Sequence, residues 1–136
     1  MSNLEQTLSI IKPDAVERNL TDKIKLIFAK NNLHITDNKK IHISKEEAAE
    51  FYKVHQSKPF YNNLCEYLSS GPIVVMILEG KDAVVKNRKI MGATDPKNAD
   101  ENTIRKLYGI SIDKNSVHGS DSLENAKKEI NFFFNN

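Results

Sequence analysis

The sequence predicts an α+β sandwich of the split βαβ, ferredoxin-like kind, in which a four-stranded antiparallel sheet is covered by helices. Three observations predict it. Short β-branched runs alternate with helical patterns along the 136 residues. The most apolar run, Ile73–Leu78, has the length and branching of a strand buried on both faces. No internal repeat or linker interrupts the order, so one domain spanning 1–136 is expected.

Gln6–Lys12 reads as a first, central strand, because it is short, apolar and stopped by Pro13. Pro13 suits a first helical turn, and Asp14 to about Lys30 shows helical spacing broken near Asn19–Asp22. That predicts a short turn of helix, then a longer helix capped near Thr21. Leu33–Ser44 suits a second strand, and Ser44-Lys-Glu-Glu has the form of a capping box opening a helix that carries Tyr52. Ser57–Tyr61 breaks this helix, Asn62–Leu68 resumes the pattern, and Ser69–Pro72 stops it.

After the Ile73–Leu78 strand, Asp82–Met91 reads as a helix. Gly92–Asn102, which contains Pro96, reads as a loop of functional length, and Thr103–Tyr108 as a short helix. A fourth strand then precedes the last helix. Ser122 can cap that helix, and Leu123, Ala126, Ile130, Phe133 and Phe134 fall along one inward face.

An apolar share of 39%, a charged share of 28% and only five Gly and four Pro exclude fibrous and disordered classes. The net charge of +2, from scattered Lys and Arg, gives little reason to expect nucleic-acid binding. Cys65 is alone and cannot form an internal disulfide. No apolar run approaches the ~20 residues of a membrane span, and the polar start lacks a secretory pattern, so no membrane association and a cytoplasmic location are expected.

The chemistry gathers in Asn115-Ser-Val-His-Gly-Ser-Asp-Ser122, where a histidine precedes a glycine and three residues able to cap the final helix. By spacing alone this segment reads as a turn. Glu129 lies near the second turn of the following helix, within reach of one imidazole nitrogen of His118. Such a contact would fix the tautomer and leave the other nitrogen as a nucleophile, although the spacing fits a solvated helix charge as well. Phosphate transfer needs cations, and Lys12, Arg88 and Arg105 are available.

Other chemistries find no support. The chain has no Gly-x-x-x-x-Gly-Lys-Ser/Thr loop, no Gly-x-Gly-x-x-Gly fingerprint, no zinc-spaced Cys/His pairs and no Gly-x-Ser-x-Gly elbow. His34, His42 and His55 read as surface or packing residues, and Phe60 by itself as a core residue. An RNA-binding reading of the ferredoxin-like sheet lacks the aromatic strand motif it requires.

Six segments together resemble the nucleoside diphosphate kinase family over essentially the whole chain. They are Ile11-Lys-Pro-Asp-Ala-Val16, Lys58-Pro-Phe-Tyr61, Ser70-Gly-Pro72, Met91-Gly-Ala-Thr-Asp-Pro96, Thr103-Ile-Arg105 and Asn115–Ser122, in that order. The resemblance implies a ping-pong transferase with His118 as the phosphorylated group, using nucleoside triphosphates and diphosphates such as ATP and GTP and requiring no nucleic acid. It implies that Phe60 stacks on the base, that Lys12 and Asn115 contact the sugar hydroxyls, with Lys12 also near the transferred phosphate, and that Arg88, Thr94 and Arg105 clamp the phosphates. Tyr52 would reach His118 and Lys12, while Ser120 and Glu129 would orient the histidine. Mg²⁺ is expected on the nucleotide's phosphates with no direct protein ligand, Asp121 contacting it through water, and Gly119 is expected to serve a backbone turn.

This chain departs from the family pattern in two places. Leu107 stands where the family often has an acid, and Asn102 where glycine is common, so the loop over the phosphates is expected to sit differently. The chain also ends at Asn136, short of the tail of longer relatives. The family assembles dimers into tetramers or hexamers, and the loop containing Pro96 resembles one that joins subunits in hexamers, so a homo-oligomer is expected and a hexamer preferred. A catalytically silent scaffold is disfavoured because every expected site residue is present.

Overall fold

The computed structural model describes residues 4–112 and 114–134. Strands β1 (Leu4–Ile11) and β3 (Ile73–Lys81) pair antiparallel along their lengths, with Leu4 opposite Lys81 and Ile11 opposite Val74. Strand β2 (His34–Ile41) flanks β3, and β4 (Val117–Gly119) flanks β1, giving the order β2-β3-β1-β4 with antiparallel neighbours throughout. Insertion of β3 between β1 and β2 is the expected split βαβ arrangement. The connecting helices are α1 (Pro13–Glu17), α2 (Thr21–Lys30), α3 (Lys45–Phe51), α4 (Tyr61–Leu68), α5 (Ala83–Met91), α6 (Ile104–Tyr108) and α7 (Leu123–Phe134).

The two-residue side-chain period of β1 divides the core into two layers. Leu8 and Ile10 pack with Ala48 of α3, Cys65 and Leu68 of α4 and Phe133 of α7. Ile11 faces the opposite way, against Ala15, Ile24, Phe28 and Met91 of α1, α2 and α5. β3 repeats the division, with Ile73 and Val75 in the first layer and Val74, Met76 and Leu78 in the second. Both faces of the sheet are therefore covered, which is why β3 reads as continuously apolar. Each fully buried aliphatic side chain contributes on the order of 2 kcal/mol.

Local signals explain most boundaries. Ser44 accepts from the Glu47 amide while the Glu47 carboxylate accepts from the Ser44 amide, so the capping box forms. α3 ends at Phe51, and Tyr52 is its C-cap residue. β2 stops at Ile41, before the expected Ser44, because its partner β3 begins at Ile73, directly after Pro72, and Ile41 pairs with Ile73. A register shift between Ile35 and Asp37 also bends β2. α2 starts at Thr21, but Leu20 occupies the cap position and no side chain caps it. The loop after Gly92 contains a single 3₁₀ turn, Pro96–Asn98, capped by Asp95.

The Ser122 hydroxyl accepts from the Asn125 amide at 3.1 Å, as its capping position requires. Of the predicted inward face of α7, Ala126 and Phe133 are buried, whereas Leu123 is 47% exposed. It lies in the first turn, ahead of the part of the helix that crosses the sheet. Asn102 has φ 68°, the left-handed conformation that explains why glycine suits this position and why asparagine is tolerated there. Among the described residues no helix is long and apolar enough to cross a membrane.

Candidate active site

His118 lies on a strand, although its surroundings in sequence read as a turn. It pairs opposite Ile10 and so faces the layer of α3 and α7, while its neighbours Val117 and Gly119 face α5. A Cβ on Gly119 would come within 2.4 Å of Asn87 Nδ2 and 2.8 Å of Met91 Sδ. Glycine is required there by the close approach of α5 to β4, which replaces the turn role expected for it.

The imidazole is held on several sides. His118 Nε2 lies 3.0 Å from Glu129 Oε1, and the same carboxylate oxygen accepts from the Ser120 hydroxyl at 2.8 Å. A carboxylate only accepts, so Nε2 carries the proton and Nδ1 keeps its lone pair. Ser120 is fully buried and reaches the histidine only through Glu129. Phe51 and Tyr52 present ring edges to the imidazole at centroid separations of 5.3 and 6.4 Å. Burial first, and then the Glu129 charge, push the Tyr52 hydroxyl well above the usual phenol range, so it stays a proton donor.

A cavity of about 760 Å³ opens over the imidazole and brings together Lys12, Tyr52, Phe60, Arg88, Thr94 and Arg105. Asn115, His118 and Glu129 also line it. Of the predicted residues, only Ser120 is not part of its wall. Lys12 Nζ donates to Asn115 Oδ1 at 2.9 Å, and the Asn115 amide donates to the Thr94 carbonyl at 3.0 Å. Arg105, 8% exposed, donates to the carbonyls of Gly92 and Val117, each at 2.9 Å. Burial, and then the charge of Arg88, push its guanidinium down to about 10. Two cations held close in a partly desolvated wall favour a bound anion.

The rim differs from the sequence-based expectation. Phe60 is 45% exposed and so is not a core residue. His55, expected to be a surface or packing residue, lines the cavity with its ring 6.1 Å from that of Phe60. Its Nδ1 is buried without a partner. Ile112, 54% exposed, lines the same cavity. Phe51 and Ile112 carry no local signal, since one ends a helix and the other sits in an aperiodic loop. Leu107 is not part of the wall.

His55 supplies a pH test. Burial first, then the charges of Lys58 and His118, lower its pKa from the ordinary 6.5. The folded ring binds its proton less tightly than the unfolded one, so stability is lost as pH falls through about 6.5 toward the lower folded value. His55→Gln removes this component. Thermal melts between about pH 7 and pH 5 are expected to show a shallower loss of Tm than wild type, and an unchanged slope contradicts the assignment.

Cations converging on an imidazole, below an exposed aromatic ring, place the chain among the phosphotransferases. The nucleoside diphosphate kinase family model matches residues 5–136. The chain belongs to the nucleoside diphosphate kinase family. The nucleoside diphosphate kinase of a Nitratiruptor species is 60% identical over 131 residues, which span 96% of both chains. That of Campylobacter fetus subsp. fetus is 59% identical with the same coverage. An orthorhombic crystal form of the Aquifex aeolicus nucleoside diphosphate kinase has a TM-score of 0.95 at 42% identity, covering 96% of this chain and 95% of that one.

Proposed function

We propose that the chain transfers the γ-phosphate of a nucleoside triphosphate, mainly ATP, to a nucleoside diphosphate by way of a phosphohistidine at His118, and so maintains cytoplasmic triphosphate and deoxytriphosphate pools. The observation that carries this reading is the 3.0 Å contact between His118 Nε2 and Glu129, which leaves Nδ1 as the free nucleophile. The Nδ1 lone pair attacks the γ-phosphorus. A P–N bond forms, the bond from phosphorus to the bridging oxygen breaks, and its electron pair leaves on the diphosphate. A terminal oxygen of a second diphosphate then attacks the same phosphorus and returns the electron pair to the ring.

Glu129 stabilises the positive charge that develops on the ring, and Ser120 fixes Glu129. Lys12, Arg88, Arg105 and Thr94 line the cavity where the transferring oxygens would lie. Tyr52 limits the tilt of the imidazole and offers a proton donor beside it. Phe60 and Ile112, both exposed on the cavity wall, offer apolar surface on which any base could stack, which would give broad base tolerance. Asn115 and Lys12 are paired where a sugar hydroxyl would insert.

The donor set also fits Mg²⁺ carried in on the nucleotide. The Asn125 amide foremost holds the Asp121 carboxyl below its usual range, leaving an ionised oxygen at the cavity wall suited to a metal-bound water. Among the described residues no cluster of three His, Cys, Asp or Glu would hold the ion alone. Mg²⁺ would neutralise phosphate charge when bound. A homo-oligomer, preferably a hexamer, is part of this reading, and Leu107 and Ile110, 51% and 59% exposed, offer apolar surface for contact between copies. RNA binding is disfavoured because helices cover both faces of the sheet.

Incubation with γ-labelled ATP is expected to label the protein in an acid-labile, alkali-stable form. The label should chase onto any added diphosphate. A protein that stays unlabelled while transferring phosphate excludes the covalent route.

A further inference from the structure

The turn that delivers His118 is strained, and a buried acid that the transfer chemistry does not use holds it. Ser116 is fully buried and has φ 77°, a region disfavoured for residues with a Cβ. Across it the Val117 amide donates to the Asn115 carbonyl at 2.9 Å, closing a three-residue turn of the rare positive-φ γ type. Parts of the site stand on both sides of this turn. Asn115, just before it, meets Lys12, and Val117, just after it, anchors Arg105 and leads directly into His118.

The Ser116 side chain shows what opposes relaxation of the turn. Its hydroxyl donates to Asp14 Oδ2 at 3.1 Å and accepts from Arg18 at 3.4 Å. Asp14, 6% exposed, lies in the first turn of α1, two residues after Lys12. Its Oδ2 also accepts from Arg18 at 3.2 Å, and its Oδ1 accepts from the Tyr67 hydroxyl of α4. Arg18 donates in addition to the Tyr108 carbonyl at the end of α6, and the Lys12 amide donates to the Ser116 carbonyl at 2.8 Å. A buried carboxylate accepting from several side chains is a stiff junction. Here it ties α1, α4 and α6 to the turn.

We propose that Asp14 and Ser116 form a positioning pair for phosphoryl transfer. Their hydroxyl–carboxylate bond holds the left-handed turn, and the turn sets both the reach of Asn115 toward Lys12 and the location of His118 on β4. Neither residue lines the cavity, so they act through the backbone and not on the nucleotide. The inference rests on the transfer function proposed above.

Comparison of Ser116→Ala with Ser116→Gly separates backbone positioning from general structural support. Alanine loses the hydroxyl but keeps the Cβ that penalises positive φ, so the turn should relax and the single-turnover rate of His118 labelling at saturating ATP should fall about tenfold. Glycine occupies positive φ without that penalty and should keep the rate within about threefold of wild type. Asp14→Asn presents a donor group among existing donors and is expected to fall with the alanine variant. A Ser116→Ala protein as fast as wild type overturns the proposal. So does a tenfold loss in Ser116→Gly at unchanged Tm, which also decides the matter should the alanine variant not fold. Absence of label on wild type would instead sink the transfer function itself.

Discussion

Replacement of His118 by alanine is expected to abolish labelling and to lower phosphate transfer by about 10⁴-fold or more, the scale on which loss of a nucleophile acts. None of the residues that hold the imidazole can substitute. Lys12 is engaged with Asn115, Glu129 accepts from Ser120, and the Tyr52 hydroxyl is held protonated by burial. The fold should tolerate the change, because the imidazole is 21% exposed in its side chain and Glu129 keeps the Ser120 bond. A stability loss of roughly 1 kcal/mol is expected. Steady-state transfer, labelling and a thermal melt on one preparation test all three statements. A His118→Ala protein with wild-type transfer would refute the mechanism.

Arg105→Ala should damage both stability and rate. In the native chain the guanidinium satisfies the Gly92 and Val117 carbonyls, and Val117 adjoins the nucleophile. Removing it orphans both acceptors and empties a buried volume, at on the order of 2–4 kcal/mol. Part of that loss is offset. The folded guanidinium holds its proton less tightly than an unfolded one, so burial beside Arg88 costs stability at every pH below about 10. Bound phosphate offsets the same cost, so nucleotide should raise the Tm of wild type more than that of the variant.

Transfer by Arg105→Ala should fall by about 10²–10³-fold, as for other fixed donors aimed at developing charge. Arg105→Lys is expected to recover only a minor part, since an ammonium cannot span two carbonyls and a phosphate with the geometry of a planar fork. Chemical denaturation and steady-state kinetics separate the two effects. A variant as stable and as active as wild type would remove Arg105 from both roles.

Much of this architecture is legible without coordinates. Pro13 marks the end of β1, Ser44-Lys-Glu-Glu opens α3, and Ser122 caps α7, because each is a signal carried by a few adjacent residues. The site residues named from motif resemblance do converge on one cavity, apart from Ser120 behind it. His55 and Phe60 are misleading in isolation, since a histidine or phenylalanine near the end of a helix carries no periodicity to show which side faces water. β2 reads too long in sequence, because its end depends on where β3 begins, about thirty residues later in the chain.

The sequence by itself determined most element types, the burial of β1 and β3 inside the sheet and the residue types available for phosphate chemistry, all of which depend on local spacing. Only the tertiary structure decided that His118 sits on a strand, that α5 demands a glycine beside it, and that Asp14 grips the strained turn at Ser116. Those contacts join residues far apart in the chain. Their geometry is set by how α5, α1 and β4 pack against β1, and no window of neighbouring residues contains it.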